Sequence, residues 1–187
     1  MLPASRYVEV LRHHYAEAWK GTMRDTEFPT SPHSRLSPLF EILSLPPGSG
    51  RDMWTYATVG MSEGMRNPIE LHMLSLSASA EVPELLAAVA SYHREIGGMR
   101  LGDTVDFGKP WIGESPCDHG LVSLPYIDGP TTEIADLGNG ARISCYWLLP
   151  VTRSEVDFKK ENGLDALETL FEASLFDYLE PLRGPVV

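Results

Sequence analysis

The run Arg142-Ile-Ser-Cys-Tyr-Trp-Leu-Leu149 carries apolar or aromatic residues on both faces: Ile143, Cys145 and Trp147 on one, Tyr146 and Leu148 on the other. A strand with one wet face alternates polar with apolar, so a run that does not alternate is covered on both sides and lies centrally in a layered sheet. Its flanks show how the chain enters and leaves it. Upstream, Asn139–Gly140 is a tight-hairpin pair that joins it to a short strand over Thr132 to Leu137. Downstream, Thr152 and Glu155 stand at capping-box spacing, where each side chain satisfies an orphan amide of the other's turn, so a helix starts there. Asn162–Gly163 interrupts it, and a longer helix runs from Leu164 to about Leu179 with Leu164, Leu167, Phe171, Leu175 and Tyr178 on its core face.

Working outward, an N-terminal amphipathic helix is expected within residues 1–20, from Ala4 to Lys20, with Val8, Leu11, Tyr15, Ala18 and Trp19 inward. Gly21 follows, where a helix end wants a residue tolerant of positive φ. A loop over Pro29 to Pro38 leads to strands at Leu39–Leu45, Met53–Val59 and Pro68–Leu76, the first two separated by Pro46, Pro47 and Gly48. In the third strand Ile69, Leu71, Met73 and Ser75 form the core face; the face of Glu70 and His72 is expected to be covered only towards Leu76. Pro83 suits the first turn of a second helix, whose stripe is Val82, Leu85, Leu86, Val89, His93 and Ile96, and Gly97 and Gly98 end it. Short strands at Thr104–Phe107 and Leu121–Tyr126 complete an α-β-β-β-α-β-β-β-β-α order. This is an α/β (α+β) chain, one domain over residues 1–187, with a mixed sheet packed by helices.

A length of 187 residues is ordinary for one core. Such a core buries roughly 70% of the unfolded surface and needs no disulfide or metal staple. The two cysteines, Cys117 and Cys145, fit a reducing compartment. No signal-peptide core is present, and the apolar run Tyr146 to Val151 is far too short for a bilayer, so a soluble, cytoplasmic protein is expected. Net charge is −11, and residues 101–187 carry 15 acids against 6 bases. That field repels nucleic acid and anionic membrane and steers basic partners in; acidity also simply keeps a protein in solution.

The chemical candidates are sparse. Cys117-Asp118-His119 combines a nucleophile, an acid and a base, yet in an extended segment neighbours point to opposite faces, so Asp118 is not expected to orient His119. Glu70 and His72 lie on one side of a strand but lack the further ligands that a zinc site needs. His13 and His14 diverge on their helix. His93 falls on an apolar stripe as a hydrogen-bonded core histidine. Pro47-Gly48-Ser49-Gly50-Arg51 lacks the Lys and the following helix of a phosphate loop, and reads as a turn. No catalytic residue, metal or cofactor is expected, and a hydrolase using Cys117 and His119 is the competing class.

The ordered elements also carry a resemblance. The pieces are Trp54-Thr-Tyr56-Ala-Thr-Val-Gly60-Met-Ser62-Glu63, Pro68-Ile-Glu70-Leu71, Pro83-Glu84-Leu85-Leu86 with Tyr92, Gly102-Asp103-Thr-Val105, Leu121 to Pro130, Ile143 to Leu149, and Thr152-Arg-Ser-Glu155 with Gly163-Leu164. Over residues 36–182 the chain resembles the Suppressor of fused domain family. The resemblance implies an α/β domain that acts by protein–protein contact. In the animal hedgehog-pathway member a domain like this forms one half of a clamp around a transcription-factor peptide. Stand-alone bacterial relatives are thought to be immunity proteins that neutralise a toxin. The expectation is therefore a non-enzymatic binder, an immunity protein for a basic toxin, working as a monomer or weak homodimer. A regulatory adaptor is the alternative.

Two surfaces are candidates for the contact. One is the loop from Trp111 to His119, where Trp111 is either an exposed anchor among carboxylates or folded back onto the core. The other is the stripe Asp165, Glu168 and Glu172, in a stretch with no Lys or Arg between Leu164 and Leu182, which otherwise is a solvated helix face. The candidate partner-binding residues are Glu63, Trp111, Glu114, Asp118, Asp165, Glu168 and Glu172.

Overall fold

The computed structural model describes residues 4–29, 35–48, 50–138, 140–175 and 177–187. Asn139 of the expected hairpin turn, Ser49 of the glycine turn and residues 30–34 of the first loop lie outside the described residues. The elements are α1 (Ala4–Trp19), β1 (Arg24–Asp25), β2 (Glu41–Leu45), β3 (Trp54–Val59), β4 (Ile69–Ser75), α2 (Glu81–Glu95), β5 (Thr104–Asp106), β6 (His119–Ser123), α3 (Pro130–Glu133), β7 (Ile134–Gly138), β8 (Ala141–Val151), α4 (Arg153–Asn162) and α5 (Leu164–Ser174). Among the described residues they make one α/β domain with five helices and an eight-stranded sheet. The strand order is β1-β2-β3-β4-β8-β6-β5, with β7 also on β8. The β4–β8 pair is parallel and the rest are antiparallel, so the sheet is mixed.

Strand β8 is the axis of the sheet, as its two-faced apolar pattern implies. One edge takes β4, in register from Ile69 opposite Ser144 to His72 opposite Trp147. The other edge takes β6 and β7 end to end: Ser123 lies opposite Trp147 and Ile134 opposite Ser144. The segment 124–133 therefore leaves the sheet opposite only Cys145 and Tyr146.

One face, with Leu71, Met73, Val122 and Leu148, is covered by the Val82, Leu85, Leu86 and Val89 stripe of α2. The opposite face is covered in two parts. Tyr7, Leu11, Tyr15 and Trp19 of α1 close over Ala57, Val59, Ile143 and Cys145. Val156, Leu167 and Phe171 of α4 and α5 close over Leu74, Leu121, Trp147 and Leu149. Each buried Val, Leu, Ile, Met or Phe side chain among these contributes about 1.5–3 kcal/mol relative to exposure.

The capping box is complete. The Thr152 amide donates to Glu155 Oε2 (2.7 Å), and the Glu155 amide donates to Thr152 Oγ1 (3.4 Å). Glu155 is itself buried and also holds the Arg183 guanidinium at 2.7 and 2.9 Å. His93 is the core histidine expected. Its Nε2 lies 2.8 Å from Ser62 Oγ, its Nδ1 accepts from the Met99 amide (2.9 Å), and burial followed by the charge of Arg94 lowers its pKa to about 4.

Several local expectations are corrected. The face of Glu70 and His72 is not open: both are buried, while Leu76 is 54% exposed. The reason is long-range, since α1 lies over it. The Tyr7 hydroxyl donates to Glu70 Oε1 (2.8 Å), and Trp19 meets His72 edge-on at 5.4 Å. Glu70 also accepts from Thr58 Oγ1 and the Met61 and Ser62 amides, yet burial outweighs these bonds and raises its pKa to about 7. Lys20 (φ 48°), not Gly21, takes the left-handed conformation after α1; at Gly21 a Cβ would collide with Leu45. β6 ends at Ser123 because the chain then turns, Pro125 offering only a carbonyl, which the Asp128 and Gly129 amides share. Thr132 belongs to the short helix α3, opened by Pro130, and β7 starts at Ile134. α5 stops at Ser174 because Leu175 turns left-handed (φ 47°), which puts Leu175 in solvent at 89% exposure instead of in the core.

No helix among the described residues is long and apolar enough to cross a membrane.

Candidate protein-binding surface

The two helical layers on the α1 side leave a seam between them, and the ten-residue excursion 124–133 crosses it. Its Asp128 is the anchor. Arg51, from the turn before β3, donates through Nη2 to Asp128 Oδ1 at 2.6 Å, with side chains only 10% and 5% exposed. The guanidinium also lies 5.5 Å from the Trp19 ring. His72 Nε2 approaches Asp128 Oδ2 to 3.3 Å without hydrogen-bond geometry. Among the described residues, the buried side-chain polar atoms lacking a partner belong to Trp19, Arg51, Thr55, His72, Asp128 and Trp147, all on this one face. These groups hold the 125–129 turn against the sheet.

Held there, the turn forms one wall of an apolar hollow of about 280 Å³. Tyr126 and Ile127 stand on it, 60% and 38% exposed. The floor is Ser123, Trp147 and Leu149 from β6 and β8, with Tyr178 set edge-on to Trp147 at 5.3 Å. The far wall is Glu168, Phe171, Glu172 and Leu175 of α5 and its cap. The Tyr126 hydroxyl donates to Glu168 Oε1 (3.3 Å), linking the walls. Burial first, then the charges of Asp165 and Glu172, push the Glu168 carboxyl up; its bond to Tyr126 opposes them. Burial and the same three carboxylates raise the Tyr126 hydroxyl. The arrangement offers aromatic and aliphatic contact surface with negative charge along one side.

Three of the seven predicted residues meet here: Glu168 and Glu172 line the hollow, and Asp165 adds its charge from the preceding turn. The other four lie elsewhere. Trp111 is 2% exposed in the α2-side core, so it is no exposed anchor; it is drawn in because its amide bonds to the Cys117 carbonyl and its ring joins Val105, Val122 and Leu148. Glu114 is exposed nearby on the same loop. Asp118 reaches the ring of its neighbour, Oδ1 lying 2.6 Å from His119 Nδ1, contrary to the expectation that they diverge. The cause is the end of regular strand geometry, since β6 begins only at His119. Glu63, half-buried in the turn after β3, accepts from Ser37 Oγ at 3.3 Å. Tyr126, Ile127 and Trp147 were missing from the sequence-derived site; two large apolar residues between Pro125 and Pro130 were the available signal.

As for chemistry, Cys117 is 1% exposed and burial pushes its thiol further up, away from the thiolate that a nucleophile requires. No group of three or more His, Cys, Asp or Glu among the described residues is placed to hold a metal ion.

The Suppressor of fused protein family model matches residues 37–184, most of the chain. The chain belongs to the Suppressor of fused family. Its fold is similar to that of a Suppressor of fused homologue from Neisseria gonorrhoeae FA 1090, with a TM-score of 0.86 and 28% identity over 98% of each chain. It also superimposes on the Sufu–Fu complex (TM-score 0.68, 14% identity, 96% of this chain and 92% of that one). Against Drosophila Suppressor of Fused the TM-score is 0.60 at 16% identity, with this chain spanning half of that one. No curated protein matches the sequence.

Proposed function

We propose that this Suppressor of fused family member works without catalysis, by holding a basic partner protein against the acid-edged hollow between α5 and the 125–129 turn. The carrying observation is the hollow itself: apolar floor, exposed Tyr126 and Leu175, and Glu168 and Glu172 beside them, a central apolar contact with a polar margin. The acid excess of residues 101–187 supports it, because a field of that sign speeds encounter with a basic protein. A related fold found in the Sufu–Fu complex supports protein binding in general. The buried, protonated thiol of Cys117 favours this reading over the hydrolase.

The finer reading is an immunity protein that neutralises a cognate basic toxin in the cytoplasm, where two free, buried cysteines are at home. Co-expression with the products of adjacent genes tests it. One of them should arrest growth alone and be silenced by this protein, and should co-purify in a salt-sensitive complex. If no neighbouring product is toxic but one still co-purifies, the adaptor reading replaces the immunity one. If none co-purifies, the binding reading fails.

A further inference from the structure

We infer that the hollow recognises an arginine side chain of the partner, a selectivity finer than attraction to a basic surface. This rests on the protein-binding reading above and deepens it. A cation is attracted to aromatic rings and to carboxylates together, and the hollow is lined by both. Tyr126, Trp147, Phe171 and Tyr178 are among its lining residues, and Glu168 and Glu172 stand on one wall. Among the described residues neither Lys nor Arg lines the hollow, and none occurs in sequence from Leu164 to Leu182. Tyr126 donates to Glu168 Oε1, which leaves Oε2 and the exposed Glu172 carboxylate to accept from an incoming group.

The shape of the demand separates arginine from lysine. A guanidinium is planar, stacks on an aromatic face and forks its N–H groups to carboxylates, whereas an ammonium is a compact, strongly hydrated point charge. An apolar floor with carboxylates on one side favours the first, because the aliphatic stem rests on Leu149 and Phe171 while the flat head lies between Tyr126 and Glu172. A stem and head of that length fit within about 280 Å³.

The test uses the intact protein and butylguanidine, a singly charged alkyl guanidinium, with butylamine and butyramide as comparators. The Trp147 indole N–H is the reporter, followed by ¹H–¹⁵N correlation spectra and assigned by Trp147→Phe. Butylguanidine should shift that resonance saturably, with affinity about tenfold above butylamine and none measurable for butyramide. Glu168→Gln, at a half-buried position, and Glu172→Gln, at an exposed one, should each weaken butylguanidine severalfold while leaving the rest of the spectrum in place. An unmoved Trp147 resonance, or equal affinities for butylguanidine and butylamine, overturns the inference. With a captured partner, Arg→Lys substitutions in its contact segment should weaken binding about tenfold. A partner that binds equally well to Glu168→Gln and Glu172→Gln sinks the arginine site yet leaves protein binding standing. Butylguanidine binding with no captured partner does the reverse.

Discussion

Glu70 and His93 set up a pH experiment whose outcome is fixed by the sign of each pKa shift. Ser62 joins them: its amide donates to Glu70 Oε1 (3.3 Å) and its Oγ lies 2.8 Å from His93 Nε2. Glu70 rises from 4.5 to about 7 on folding, so the folded state keeps its proton longer than the unfolded chain does. Its contribution is complete below pH 4.5 and is lost as pH rises through 7, by about 3 kcal/mol. His93 moves oppositely, from 6.5 to about 4; the Met99 amide already occupies Nδ1, which leaves no place for a second proton. Its contribution is complete above pH 6.5 and is lost as pH falls through 4, by at most about 3 kcal/mol. Between pH 4.5 and 6.5 the two slopes oppose and largely cancel. Glu70→Gln and His93→Gln each remove one of them. Urea midpoints should be measured from pH 4 to 8 for the parent and both variants. The parent's stability advantage over Glu70→Gln should shrink by about 3 kcal/mol between pH 4.5 and 7, roughly 1–2 M urea in midpoint. Its advantage over His93→Gln should instead grow across pH 4 to 6.5. Two differences that stay level across these ranges would refute the reasoning.

Three further outcomes are expected. Leu175→Gly should raise stability by about 1 kcal/mol, since Leu175 is left-handed and 89% exposed, yet weaken partner binding; a fall in melting temperature would show that the leucine packs. Arg183→Ala should cost about 3–5 kcal/mol in urea unfolding by stranding the fully buried Glu155 carboxylate, and a loss under 1 kcal/mol would mean that water takes the place of the guanidinium. Cys117 and Cys145 should resist iodoacetamide until the protein unfolds, because both are buried and burial raises both thiols; native-state labelling of Cys117, read by mass spectrometry, would revive the hydrolase.

What could be read from sequence was what short range decides. The two-faced pattern of β8, the Thr152–Glu155 box and the stripe of α2 are each contained within a few turns of chain, and each is present in the structure. What escaped depended on partners far along the chain. Glu70 looked like a solvent-facing acid because its donor, Tyr7, is 63 residues away. Glu155 showed its cap, but not the Arg183 that lies 28 residues on. The α5 stripe of Glu168 and Glu172 was visible as charge, whereas the hollow it edges was not. That hollow needs Tyr126 brought across by the Arg51–Asp128 bond, which spans 77 residues. Leu175 was misread because helical spacing continues through it, and no glycine warns that the backbone reverses there.

The excursion 124–133 has a consequence for how such a protein can diversify. Because β6 and β7 share one edge of β8, the chain must depart and return within the space of two residues, whatever it does between. The frame therefore specifies where the insert begins and ends and leaves most of its length and content open. A jaw mounted in this way can be exchanged without rebuilding the sheet. Relatives that face different partners should differ most in this segment and in the α5 surface opposite, while Arg51 and Asp128 persist as the hinge pin that keeps any new jaw aligned.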